Sequence, residues 1–156
     1  MTDDLIRVFD AYGREMQVPR EEWRTKVLPG ALQKAHGDAA ELYDVVVQAL
    51  QDGFERDVVE SAEHLARIDP VPARGATVLG IVYTKLGRLD DAQRVLERFP
   101  RDGVAQTNLA KVHAARGDAA KADEVLWHAA TASAQARMAL AWWPSRAGEA
   151  SSGPRR

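Results

Sequence analysis

Sliding the chain along itself by 30 residues brings Leu79 onto Leu109, Gly80 onto Ala110 and Tyr83 onto His113. The same register lays Gly87 on Gly117, Ala92 on Ala122, Val95 on Val125 and Leu96 on Leu126. Agreement at a fixed period constrains the fold more than local propensity does. Each copy must be one supersecondary unit that hides its apolar side only by stacking on the next.

A glycine divides each copy in two. Before Gly87, apolar residues recur at helical spacing (Val78, Leu79, Val82, Tyr83, Leu86), and after it Ala92, Val95, Leu96 and Phe99 do the same. The unit is therefore helix, tight turn, helix. Gly87 and Gly117 suit the left-handed position past a helix C-terminus, where a Cβ would clash, and Asp118 suits the cap of the helix that follows. Pro100 is expected to stop the second helix of its copy. A more divergent copy comes first: Asp38 and Glu41 make a capping-box pattern ahead of LYDVVVQAL, Gly53 marks the turn, and residues 54–70, FERDVVESAEHLARIDP, supply the second helix.

The pattern of large Leu79, small Gly80, Tyr83, Gly87, Ala92 and large Leu96 resembles the tetratricopeptide repeat family, and Asp69–Pro70 matches that family's usual repeat ending. The resemblance implies an all-α fold, an α-solenoid of about three helix–turn–helix repeats near residues 39–72, 73–102 and 103–132. These lie in a repeat domain of residues 38–143, closed by a capping helix over 133–143. The first copy has the family's usual length of 34, while the later two are four residues shorter, which tightens the expected inter-repeat connections.

The flanks follow different rules. Ile6 and Val8 alternate, a turn falls around Tyr12 and Gly13, and Met16 and Val18 alternate again, so a short hairpin is expected there. Pro19 then reads as a first-turn proline, with Glu21 and Glu22 at the positive end of a helix that runs through Trp23 and Val27 until Pro29 and Gly30 interrupt it. Residues 1–37 thus form an extension expected to cover the first repeat's open face, and residues 144–156 have the composition of a tail.

In tetratricopeptide repeats the first helix of each pair lines a concave face. Carrying those positions onto this chain gives Tyr43, Asp44 and Val47 in the first copy, Arg74, Thr77, Val78, Ile81 and Lys85 in the second, and Thr107, Asn108 and Lys111 in the third. Arg74, Lys85, Asn108 and Lys111 are of the types that meet a carboxylate or an acidic segment of a partner. Solvated surface cations are the competing reading. The family's carboxylate clamp is not reproduced: Asn108 sits at a clamp-type position, but Lys111 stands where that clamp has asparagine, and the preceding copy offers Val78 and Ile81.

Other chemistries find little support. Lys plus Arg number 21 against 23 Asp plus Glu, a formal charge of −2, so the field that tracks a phosphate backbone is missing, as are the stacking faces for reading RNA. No apolar run reaches membrane-spanning length, and neither a membrane nor a nucleic-acid partner is expected. The lack of cysteine removes thiol chemistry and suits a reducing, cytoplasmic setting. His36, His64, His113 and His128 show no metal-ligand spacing, so no metal or cofactor is expected. His113 replaces the packing tyrosine, His36 reads as a helix-end residue, and His64 reads as a neighbour of Glu60 on one helix face. Ser61 with His64 lacks an orienting third group, and Asp57, Glu60 and Glu63 read as a solvated face. Trp23 and Trp127 are expected in the core. Trp142 and Trp143 point about 100° apart on a helix; either both shield the last repeat's apolar face, or one caps it and the other meets a partner or a second copy of the chain. The expected function is a non-catalytic, bacterial-type module holding a peptide or helix of a protein partner. The alternative is a regulatory or assembly domain of a larger enzyme or complex, and dimerisation is the other route to covering the array's ends.

Overall fold

A computed structural model of the chain describes residues 4–130. Strands β1 (Leu5–Phe9) and β2 (Glu15–Pro19) form an antiparallel hairpin with Ile6 opposite Val18 and Val8 opposite Met16. Ile6 and Val8 are buried while Leu5, Arg7 and Phe9 face solvent, the period-two alternation that the sequence predicts. Asp10 closes the turn by accepting from the backbone N–H of Tyr12 (2.8 Å) and of Arg14 (2.9 Å), and Gly13 takes φ of 78°.

The chain then stays helical from Arg20 to Ala35, which corrects the expected interruption at Pro29 and Gly30. A short turn α1 (Arg20–Glu22) leads into a π-helical turn (Trp23–Val27) and on into α2 (Leu28–Ala35). The Leu28 N–H reaches back to the Trp23 carbonyl, five residues away. Proline has no N–H for a carbonyl four residues back and its ring would crowd it, so the widened turn carries the helix past Pro29, near the start of α2.

Three helix pairs follow: α3 (Ala39–Gln51) with α4 (Val59–Ile68), α5 (Pro72–Lys85) with α6 (Leu89–Leu96), and α7 (Gly103–Ala115) with α8 (Ala119–Ala130). All three first helices end in the same way. Gly53, Gly87 and Gly117 have φ of 81°, 77° and 83°. The following residue's N–H returns to the carbonyl five back: Phe54 to Ala49, Arg88 to Tyr83 and Asp118 to His113, at 2.8, 2.8 and 2.9 Å. The divergent first copy therefore turns as the other two do. Helix starts are capped as well: Asp38 accepts from Ala40 and Glu41, Asp102 from Ala105, and Asp118 from Lys121. Helix α6 stops at Leu96, short of Phe99 and Pro100; the chain turns there, and the buried Gln106 side chain donates to the Phe99 carbonyl at 3.1 Å.

One core runs from Ile6 to Leu126, with Leu42, Phe54, Leu65, Val82, Leu96, Val112 and Leu126 fully buried. The extension contributes to it. Arg20 lies over the Phe54 ring at 4.3 Å and Arg24 pairs with Asp57 at 3.2 Å, tying the extension to the first pair. Trp23 is half-buried against the core, and Trp127 is only half-buried, so neither lies deep inside as expected. The capping helix over 133–143, with Trp142 and Trp143, lies outside the described residues.

Small residues set the inter-helix distance. A Cβ at Gly80 would stand 2.7 Å from the buried Leu96 side chain, and one at Gly75 would meet the Leu65 carbonyl oxygen at 3.1 Å. His113 is buried in the tyrosine position; desolvation pushes its imidazole below the usual range and Lys121 adds to this, outweighing Asp118 and Glu97.

Two outcomes follow from this packing. Gly80→Ala is expected to lower unfolding stability by about 1–2 kcal/mol through overpacking, whereas Gly30→Ala, inside α2 with open space around it, raises it by about 0.5–1 kcal/mol. Denaturant titration of both variants compares them. A folded-state pKa below the unfolded value makes His113 stabilising above about pH 6.5, a contribution lost as pH falls through the lowered value. His113→Tyr should flatten that part of the stability profile, read as thermal midpoint against pH.

Candidate functional site

The first helices of successive repeats stand side by side, and between them lies a groove of about 550 Å³. From α3 it is lined by Tyr43, Val47, Leu50 and Gln51. From α5 come Ala73, Arg74, Thr77, Val78, Ile81 and Lys85; Val71 leads into that helix, and Asp102 and Val104 stand at the start of α7. Of the positions carried over by resemblance, Tyr43, Val47, Arg74, Thr77, Val78, Ile81 and Lys85 therefore meet in one concavity. Asp44, Thr107, Asn108 and Lys111 do not line it. Only the N-terminal turn of α7 reaches the groove, and those three α7 residues lie further along the helix.

The lining is more apolar than the expected polar and cationic face. Thr77 and Val78 are buried and form its floor. The Thr77 hydroxyl donates to the Ala73 carbonyl at 2.6 Å, so it satisfies its own helix. On α7, Thr107 and Asn108 likewise donate to the carbonyls of Gly103 (2.7 Å) and Val104 (2.9 Å). Val71 and Val104, absent from the expected positions, are 50% and 41% exposed at the rim. Their signal in the sequence is weak, since each stands at a helix start outside the apolar stripe.

Charge is also used differently. Arg74 is held by Asp69 through two hydrogen bonds, Nε to Oδ2 at 2.9 Å and a terminal nitrogen to Oδ1 at 2.8 Å. The Asp69 side chain is 0% exposed and the Arg74 side chain 37%. Burial pushes the Asp69 carboxyl up, but the Arg74 guanidinium and the Val71 N–H (2.8 Å) outweigh it, so the group rests below its ordinary value. The guanidinium also lies 5.2 Å from the Tyr43 ring centre. Arg74 is thus an internal strut that joins the α4–α5 connection to α3, where the sequence suggested a cation free to meet a partner's acid. Asp102 is spent on capping α7. Lys85, exposed at the end of α5, has no ion pair among the described residues.

A second cluster lies between the end of α2 and α4. The rings of His36 and His64 stack 3.7 Å apart at an angle of 3°, and His64 Nε2 donates to the His36 carbonyl at 2.9 Å. His64 is thus a partner of the α2 terminus, not merely a neighbour of Glu60, and its bonded nitrogen is not free to serve Ser61 as a base. His36 caps α2, as expected of a helix-end residue. Among the described residues, no group of three or more His, Cys, Asp or Glu side chains stands close enough to hold a metal ion, and no helix is long and apolar enough to cross a membrane.

Paired antiparallel helices, glycine-terminated and stacked so that their first members face one concavity, define an α-helical repeat array. Residues 73–98 and 103–126 match the family model of the tetratricopeptide repeat. Residues 73–126 therefore hold two tetratricopeptide repeats. The matched spans hold α5–α6 and α7–α8; the α3–α4 pair shares their turn but lies outside them. Comparison with curated proteins gives no significant match. Repeats of this family generally mediate protein–protein interactions and are typically non-catalytic.

Removing the buried carboxylate tests the strut. Asp69→Asn is expected to cost about 1–3 kcal/mol at neutral pH. Because the folded pKa is depressed, the contribution is complete above the unfolded value near 4 and fades as pH falls through the folded one. The gap between wild type and variant in unfolding experiments should therefore narrow below about pH 4.

Proposed function

We propose that the chain is a non-catalytic scaffold that holds a peptide or helix of another protein in the groove between α3 and α5. The observation that carries this reading is the groove's composition: Val47, Leu50, Val71, Val78, Ile81 and Val104 converge on one open cavity. An apolar concavity with a few polar groups at its edge is the usual form of a binding site. The role accords with what the repeat family generally does. The cysteine-free composition supports a cytoplasmic setting.

Ile81 is the residue on which to test it, because it is half-buried at the groove and placing a carboxylate there spoils the apolar surface without touching the glycine turns. Affinity capture from the native lysate with wild type and Ile81→Asp, followed by mass spectrometry, should recover a partner with wild type alone. Circular dichroism should show the same helicity for both proteins. Equal recovery of the same partners by both would remove the groove from the function.

A further inference from the structure

Resting on that reading, we infer that the occupant is a short amphipathic helix of a partner protein, with an apolar stripe against Val47, Val78 and Ile81 and one carboxylate against Lys85. The inference begins with what the walls lack. They are helices whose backbone groups are already bonded internally, and their remaining donors are largely committed: Thr77 to Ala73, and Arg74 to Asp69. A peptide entering in extended form would leave its own N–H and C=O groups without a ladder in an apolar cleft, at a cost for each unmade bond. A helix brings its backbone satisfied and needs only an apolar stripe.

Length agrees. Arg74 and Lys85, the charged residues of the α5 wall, stand eleven residues apart, about 16 Å along the helix, the length of three helical turns. Apolar anchors at i, i+3, i+4 and i+7 of a partner helix span about 10 Å of it, and an acid one turn further on reaches the rest.

Charge fixes the remaining feature. The groove's lining charges are Arg74, Lys85 and Asp102. Arg74 is neutralised by Asp69, and Asp102 faces the amide of its own helix start. Lys85 is left as the unbalanced charge, so a single acid at one end of the partner's stripe is complementary and a polyacidic strand is not. The chain's own residues 131–156 do not match this description, because their one acid, Glu149, is separated from the apolar run at 138–143 by Pro144.

Fluorescence anisotropy with labelled synthetic peptides tests the idea on the full-length chain. The probes are a peptide of about 14 residues with leucines at i, i+3, i+4 and i+7 and one terminal-turn glutamate, its glutamine counterpart, and a version broken by a central proline. The helical glutamate peptide is expected to bind wild type, the proline version to bind at least about tenfold more weakly. The glutamine version should bind about threefold more weakly, a difference that vanishes on Lys85→Gln. Binding of the proline version as tightly as the helical one overturns the helix, and equal affinity of the glutamate and glutamine peptides for wild type overturns the carboxylate. In either case loss of binding with Ile81→Asp leaves the groove standing. If none of the peptides binds, or if Ile81→Asp binds as wild type does, the groove reading falls together with this one.

Discussion

A helix of this chain carries an apolar stripe wider than its partner in the pair can cover, and the remainder is buried only by the neighbouring pair. That requirement places α3, α5 and α7 beside one another and gives the array a single continuous core. It also demands close approach. Gly80 sits against Leu96 with no room for a methyl group, and Gly75 sits against the backbone of α4, so the distance between helices is set by missing side chains as much as by present ones. Sharp reversal within each pair is the second demand, met three times by a glycine in the left-handed region with the same returning hydrogen bond.

The groove is a by-product of this stacking. Residues of α3 and α5 that face the second helices vanish into the core, as Leu42, Val46, Val82 and Tyr83 do. Those one position round, Val47 and Ile81, remain half-covered because the array curves away from them and no element of the described chain fills the concavity. Asp69 and Arg74 keep the mouth of that concavity in shape. The aspartate ends the α4–α5 connection by accepting from Val71, and the arginine it holds lies over Tyr43, so one buried carboxylate couples the turn between repeats to the wall of the preceding repeat.

Features fixed by one residue's local chemistry were legible from the sequence. Gly53, Gly87 and Gly117 had to be turns because few other residues tolerate their φ, Asp38 and Asp118 had to be caps, and the alternation of Ile6 and Val8 defined a strand. Features that depend on which groups meet were not. Pro29 signals a helix break by its own chemistry, yet the hydrogen-bond register widens by one residue and the helix passes it. His36 and His64 are 28 residues apart, and no spacing rule brings their rings together. The site was partly legible for the same reason. Helical periodicity located Val47, Val78 and Ile81 on the first helices, but it could not say that Thr77 and Asn108 would spend their donors on their own helices.

Arg74 shows what such pairing does to function. Counted by residue type, the groove face holds cations and amides suited to an acidic ligand. Counted by unsatisfied groups, it is an apolar cleft with one exposed lysine, because Arg74 already holds a carboxylate and Asn108 and Lys111 lie outside the lining. A ligand held there, as we propose, would draw mainly on apolar contact, with charge setting register and orientation more than strength. Since only two repeats contribute most of the wall, such a contact would be short, and a partner arriving already helical would forfeit least entropy in making it.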